Sequence, residues 1–219
     1  MPELDDAEVL EWIGRFIARI HTVGAQSDFV SRPTLNVETF ATASRDWLMA
    51  HHIIPMDQQT EWLATCNQAI EMAQQMFHAH PVRHLRLHGD CHPGNILWTP
   101  TDLPNGGPHF VDLDDARMGP AVQDLWMLLS GDRRQRTQQL SMLLDGYEQM
   151  RDFNRQELAL IEPLRTLRLI HYSAWLARRR DDPAFVQHFS WFGTSDYWAG
   201  QTHMLIEQCE AMQEAPLYA

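Results

Sequence analysis

The segment His88-Gly89-Asp90-Cys91-His92-Pro93-Gly94-Asn95 interrupts a chain that otherwise reads mostly as helix. It holds two glycines and a proline in eight residues, which reads as a loop rather than a helix. A short run, His84 to Leu87, leads into it. Behind it, Ile96-Leu97-Trp98 and His109-Phe110-Val111 have the look of two short strands. Between them lies Pro104-Asn105-Gly106-Gly107-Pro108, a strong turn signal. The pattern predicts a small hairpin whose strand ends present Asn95 and Asp112.

Helical spacing fills the sequence on both sides. From Asp5 to His21, the residues Val9, Ile13, Phe16, Ile17 and Ile20 fall on one face, and Gly24 is a natural stop. A second helix is expected from the cap residue Asn36 to Ala50. A third is expected from Asp57 to His80, ended by Pro81. After the hairpin the expected helices are Pro120–Leu129, Arg134–Met150, Gln156–Arg180, a short piece at Pro183–Phe189, and Thr194–Met212. Internal repeats and low-complexity linkers are lacking. The expected fold class is mostly α with a small β-hairpin, and residues 1–219 read as one lobe.

Composition narrows the function classes. At 219 residues and 44% apolar, the chain can bury a sizeable core. No window approaches the apolar length of a membrane span, and Met1-Pro2-Glu3-Leu4-Asp5-Asp6 lacks the basic-then-apolar start of a signal peptide. Cys66, Cys91 and Cys209 are far apart and odd in number, which argues against a disulfide framework and fits a reducing cytoplasm. A formal charge of −12 makes nucleic acid a poor partner. A monomer is the expectation, with no coiled-coil seam or obvious dimer motif against it and the oligomeric state left open by the sequence. All of the basic side chains besides histidine are arginine, because the chain contains no lysine.

The loop has the parts of a phosphoryl-transfer site. That reaction needs positioned cations and a carboxylate that orients the acceptor hydroxyl and takes its proton. Magnesium prefers hard oxygens and keeps several waters, so one Asn and one Asp can hold it. Protein kinases place these groups as H-R-D-x-x-x-x-N, followed by D-F-G. Here Asp90 and Asn95 have the same separation, five positions, and His88 stands two before the aspartate. Asp112 follows a short strand, as the D-F-G aspartate would. Gly89 stands for the Arg, and Asp112-Leu113-Asp114 for D-F-G.

H-G-D-x-H-x-x-N followed by a strand ending in Asp resembles the aminoglycoside phosphotransferase and choline kinase-like branch. The chain looks closer still to the bacterial stress response kinase A family. The likeness runs from Leu87-His88-Gly89-Asp90-Cys91-His92 through Asn95-Ile96-Leu97-Trp98, Phe110-Val111-Asp112-Leu113-Asp114-Asp115-Ala116-Arg117 and Gly119-Pro120-Ala121-Val122-Gln123-Asp124-Leu125-Trp126. It extends to Asp182-Pro183-Ala184-Phe185 and Trp191-Phe192-Gly193-Thr194. That resemblance implies a protein-kinase-like fold and a serine/threonine protein kinase using ATP and Mg²⁺. By position, Asp90 resembles the catalytic base, and Asn95 and Asp112 the magnesium ligands. Asp124 resembles an aspartate that braces the loop, with His88 and His92 in supporting places. The family also has an N-terminal lobe with a phosphate-covering loop and a strand lysine. This chain has no G-x-G-x-x-G and no lysine, so it reads as the C-terminal lobe, with a lobe of roughly 100 residues expected beyond it.

Other readings stay open from the residues alone. His88-x-Asp90-x-His92 with Asp112 and Asp114 could serve a metal-dependent hydrolase. A lone lobe could be a non-catalytic binding module. A small hydroxyl-bearing acceptor such as a sugar, choline or an aminoglycoside fits the loop as well as a protein does. Asp114 and Asp115 read most simply as turn carboxylates, Arg178-Arg179-Arg180 as a charged helix end, and Trp191, Phe192, Tyr197 and Trp198 as core aromatics.

Overall fold

The computed structural model describes residues 2–182, 185 and 188–219. These residues group into two compact units. The first comprises Met1–Leu35, Pro81–Ile161 and Pro216–Ala219, and the second Asn36–His80 and Glu162–Ala215.

In the first unit, helix α1 (Ala7–Gly24) starts where the Asp6 carboxylate accepts from the amides of Glu8 and Val9. It packs on α5 (Arg133–Tyr147), opened by a capping box between Asp132 and Gln135. Two glycines let these helices touch backbone to backbone. A Cβ on Gly14 would stand 2.0 Å from the Leu143 carbonyl oxygen, and one on Gly146 2.0 Å from that of Glu11. Leu10, Ile13, Ile17, Leu140, Leu143 and Leu144 fill the rest of the interface as buried core.

Two small antiparallel sheets lie in the same unit. Strand β1 (Leu85–Leu87) pairs with β4 (Arg117–Gly119), and Thr34 adds a parallel bridge to Met118. Strands β2 (Ile96–Thr99) and β3 (Gly107–Phe110) form the expected hairpin, with Ile96 opposite Phe110. Strand β4 was not expected. Arg117-Met118-Gly119 is too short and too mixed to show alternation, and only its pairing with Leu85-Arg86-Leu87 makes it a strand. The expected Pro120–Leu129 helix shrinks to the single turn α4 (Gln123–Trp126).

In the second unit the expected Asn36–Ala50 helix is a π-helical turn, Glu38–Thr42, running into α2 (Ala43–Ala50). Asn36 Oδ1 accepts from the Thr39 amide, as a cap should. Helix α3 (Met56–Ala79) packs on α7 (Ser195–Ala211), with Trp62 edge-on to Trp198 at 5.4 Å. The single expected helix Gln156–Arg180 is instead a 3-10 stretch, Arg155–Leu160, followed by α6 (Ile161–Ala177). Pro163 sits in the first turn of α6, where a missing N–H costs nothing. The expected piece at Pro183–Phe189 includes Pro183, Ala184, Val186 and Gln187, which lie outside the described residues. Trp198 is fully buried, whereas Trp191 is 46% exposed. A cavity of about 300 Å³ opens beside this cluster, lined by Ile53, Arg180, Phe185, Phe189, Ser190, Phe192 and Gly193.

Candidate functional site: a loop held by a buried aspartate

Strand β1 delivers the chain to His88, and from there the backbone is tied down by side chains. Asp124, on α4 and 1% exposed, accepts from the His88 amide through Oδ2 and from the Gly89 amide through Oδ1, both at 2.8 Å. Its neighbour Gln123 donates from Nε2 to the Gly89 carbonyl at 3.0 Å and accepts from the Trp126 indole N–H. A carboxylate and an amide on one helical turn therefore read both faces of the Gly89 peptide backbone. A buried carboxylate gripping backbone amides forms charge-assisted bonds, among the stronger hydrogen bonds in proteins.

Gly89 explains why an arginine is absent at that position. Its φ is +87°, and a Cβ there would stand 2.2 Å from the Asp115 carbonyl oxygen and 3.3 Å from Arg117 Nε. Only glycine allows the loop and the acidic turn to approach this closely. Asp90 follows, half-buried, and Asn95 closes the loop by donating from Nδ2 to the Asp90 carbonyl at 3.0 Å. Asn95 is 8% exposed. His92 accepts from the Gly94 amide through Nδ1, and its Nε2 lies 3.6 Å from Asp90 Oδ2, an ion pair when the ring is protonated.

The hairpin links this loop to the acidic turn. The Val111 amide donates to the Asn95 carbonyl at 3.0 Å, and His88 Nε2 donates to the Val111 carbonyl at 2.9 Å. A carbonyl only accepts, so His88 carries its proton on Nε2, and its buried Nδ1 has no hydrogen-bond partner among the described residues. The next residue, Asp112, is exposed and held at φ +62°, a left-handed conformation uncommon for a residue with a side chain. Asp114 is exposed, while Asp115 pairs with Arg117 and gives its carbonyl to Arg117 Nε. Arg32 reaches the same turn, where Nη1 donates to the carbonyls of Asp114 at 2.6 Å and Ala116 at 3.0 Å.

Sequence reasoning missed the residues behind the loop. His21, with no exposed surface, places Nε2 3.0 Å from Asp124 Oδ2 and Nδ1 2.9 Å from the Tyr147 hydroxyl. A signal existed: His21 falls four residues after Ile17 on the apolar stripe of α1, and a histidine there needs a polar partner. Glu157 was also missed. It is 4% exposed, accepts from the Val122 amide at 2.9 Å, and burial pushes its carboxyl up to about 7. Cys91 is fully buried, and burial followed by the nearby Asp124 and Asp90 charges pushes its thiol well up, so it is no nucleophile. Arg178 lies over Trp47 at 4.8 Å and Arg179 over Trp175 at 3.8 Å, which occupies two of the three arginines of the run.

The hydrolase arrangement is not drawn together. Among the described residues no three His, Cys, Asp or Glu side chains gather as a metal cluster. No described helix is long and apolar enough to cross a membrane.

A loop fixed through its own amides, an amide side chain beside it and a carboxylate at the far strand end are the parts from which kinase-like phosphotransferases are built. The model of the phosphotransferase enzyme family matches residues 1–161, and the chain belongs to that family. It is 42% identical over 215 residues to stress response kinase A of Escherichia coli strain K12. It is 41% identical over the same length to the serine/threonine protein kinase RdoA of Salmonella typhimurium. In both comparisons 98% of this chain is covered, and the chain spans 63% of the relative's length. Among solved structures it is similar to an amicoumacin kinase in complex with AMP-PNP, Ca²⁺ and Ami, with a TM-score of 0.59 at 18% identity, covering 99% of this chain and 62% of that one. The fold is thus the aminoglycoside phosphotransferase-like, kinase-like fold that the sequence led us to expect, represented by its helical, loop-bearing part.

Proposed function

We propose that this chain is the catalytic lobe of an ATP- and Mg²⁺-dependent phosphotransferase, and that the acceptor is a serine or threonine hydroxyl of a protein. The observation that carries the reading is the tie between loop and hairpin. Asn95 Nδ2 holds the Asp90 carbonyl, and the Asn95 carbonyl holds the Val111 amide beside Asp112. In this reading Asp90 orients the acceptor hydroxyl and takes its proton. Asn95 spends its amide N–H on Asp90 and keeps its amide oxygen for the cation, while Asp112 offers an exposed carboxylate. This pair of hard oxygens fits magnesium, which when bound would neutralise charge on the nucleotide phosphates. Asp124 keeps the His88-Gly89 backbone, and hence Asp90, in register, with His88 tying the loop to Val111 and His92 facing the Asp90 carboxylate.

The name of the Salmonella typhimurium relative, a serine/threonine protein kinase, supports a protein acceptor, and the amicoumacin kinase complex supports a nucleotide donor. With no lysine and no glycine-rich phosphate loop in the chain, little binding energy is available from the nucleotide phosphates. We therefore expect these 219 residues alone to turn over far below the ~1–100 s⁻¹ of ordinary kinases. The proposal places the protein in the cytoplasm as a monomer. The test is transfer of the γ-phosphoryl group of ATP to a serine/threonine peptide library, using the native protein isolated from its own cells. Asp90→Asn is expected to lower the rate by about 10²–10⁴-fold. Full activity in that variant would refute the role given to Asp90, and transfer only to small alcohols would refute the protein acceptor.

A further inference from the structure

We propose that His21, backed by Tyr147, is a positioning residue for the loop: it fixes the Asp124 carboxylate in the one orientation that receives both loop amides. The inference rests on the proposed phosphotransferase reading for its importance, but its geometry stands apart from that reading.

Asp124 Oδ2 has two donors, the His88 amide at 2.8 Å and His21 Nε2 at 3.0 Å. A carboxylate accepts only, so the proton between them belongs to His21 Nε2. On the other side of the ring, Nδ1 meets the Tyr147 hydroxyl at 2.9 Å. In the tautomer that carries the proton on Nε2, Nδ1 presents a lone pair and accepts from the Tyr147 hydroxyl. The result is a directed chain: Tyr147 to His21, His21 to Asp124.

The anchor of that chain is rigid. Tyr147 has no exposed surface and stacks edge-on with Phe153 at 5.6 Å. His21 stands in the last turn of α1, and the end of α1 is fastened to the strand that leads into the loop. Arg86 donates to the carbonyls of Gly24 at 3.3 Å and Val23 at 2.9 Å, and a Cβ on Gly24 would meet the Arg86 carbonyl oxygen at 2.2 Å. The same helix end is thus tied to β1 through Arg86 and to Asp124 through His21. Two fixed distances from one rigid element define where His88 and Gly89 can lie. Without His21, Oδ2 loses one of its two donors, and only the two loop amides themselves then hold the carboxylate in its orientation.

Hydrogen exchange of the ¹⁵N-labelled chain, followed amide by amide, reads this directly. In His21→Ala the Gly89 and His88 amides are expected to exchange at least about tenfold faster relative to the Leu140 and Leu143 amides of α5. His21→Gln, which can present a donor to Asp124, is expected to return them to within about threefold of the parent. Should His21→Ala not fold, Tyr147→Phe decides, with a selective rise of about threefold at the same two amides. Unchanged loop amides, or equal acceleration of loop and α5 amides, would overturn the proposal and leave His21 a packing residue. Failure of the phosphotransferase reading would look different: no γ-phosphoryl transfer by the native protein, with the selective loop exchange intact.

Discussion

The two acidic parts of the site are held in opposite ways. The loop that carries Asp90 is gripped from below by buried groups, with Asp124, Gln123 and His21 all under 3% exposed. The turn that carries Asp112 stands in solvent, held by Arg32 on its carbonyls and by the Asp115–Arg117 pair, and its first residue sits at φ +62°. Under the proposed function this difference is what the two roles call for: a base has to be in place before the acceptor arrives, and a backbone locked into the core provides that. A metal ligand can be ordered by the cation it binds, and an exposed, strained turn is compatible with that. The contrast assigns stability to one side and ligand response to the other, and each side can be challenged separately.

The sharpest challenge falls on the buried side. Asp124→Ala leaves the His88 and Gly89 amides and the His21 ring without their acceptor. Unfolding in urea should show a loss of about 3–5 kcal/mol, the usual result of breaking a buried charged group away from its partners. A loss below about 1 kcal/mol, the size of one ordinary hydrogen bond, would mean the loop is held by something else.

Next comes the carboxyl beneath α4. Burial pushes Glu157 up to about 7 from its ordinary 4.5. The folded protein therefore keeps this proton where the unfolded chain has released it. The associated stability is fully present below the unfolded value and is lost as pH rises through about 7. Glu157→Gln, which can still accept from the Val122 amide, should remove that dependence. It should exceed the parent at pH ~8 by on the order of 3 kcal/mol, with the gap closing by pH ~5. Parallel stability curves for the two proteins across that range would contradict this.

A smaller effect is expected where loop and turn meet. Gly89→Ala places a Cβ 2.2 Å from the Asp115 carbonyl oxygen, at a φ of +87°. The expected cost is about 1–3 kcal/mol in thermal or urea unfolding, from left-handed strain plus overpacking. The smallest and most telling effect is on the exposed turn. Asp112→Gly relieves the φ of +62° and should gain about 1 kcal/mol of stability while abolishing any Mg²⁺-dependent phosphoryl transfer. A variant that is less stable, or that keeps activity, would erase the contrast drawn between the two sides.

Much of this was legible in the sequence, and the remainder was hidden for definable reasons. The hairpin could be read because Pro104-Asn105-Gly106-Gly107-Pro108 is turn chemistry between two apolar triplets, and β2 and β3 fall where those triplets lie. Helices α1, α3 and α7 could be read because their apolar faces are long. Strand β4 and the Thr34 bridge could not, because three-residue strands exist only through their partners. The break of Gln156–Arg180 into a 3-10 stretch and α6 was missed because Pro163 was not weighed as a helix start. Within the site, Asp90, Asn95, Asp112 and Asp124 stood in motifs. His21, Tyr147, Glu157 and Arg32 did not, since each meets the site across long sequence separations that one sequence cannot pair. Gly89 was noted as a departure, but its reason, the Asp115 carbonyl 2.2 Å from a Cβ, is visible only in three dimensions.

The most direct test of the account places a paramagnetic divalent cation in the site. Mn²⁺, titrated without nucleotide into the ¹⁵N-labelled chain, should broaden the Asn95 and Asp112 resonances first, and Asp112→Asn should abolish that broadening while the Gly89 and His88 amides stay where they are. Broadening centred on His88 and His92 with Asn95 spared, broadening that survives in Asp112→Asn, or none at either residue would contradict the assignment of Asn95 and Asp112 as the cation ligands beside a prepositioned Asp90.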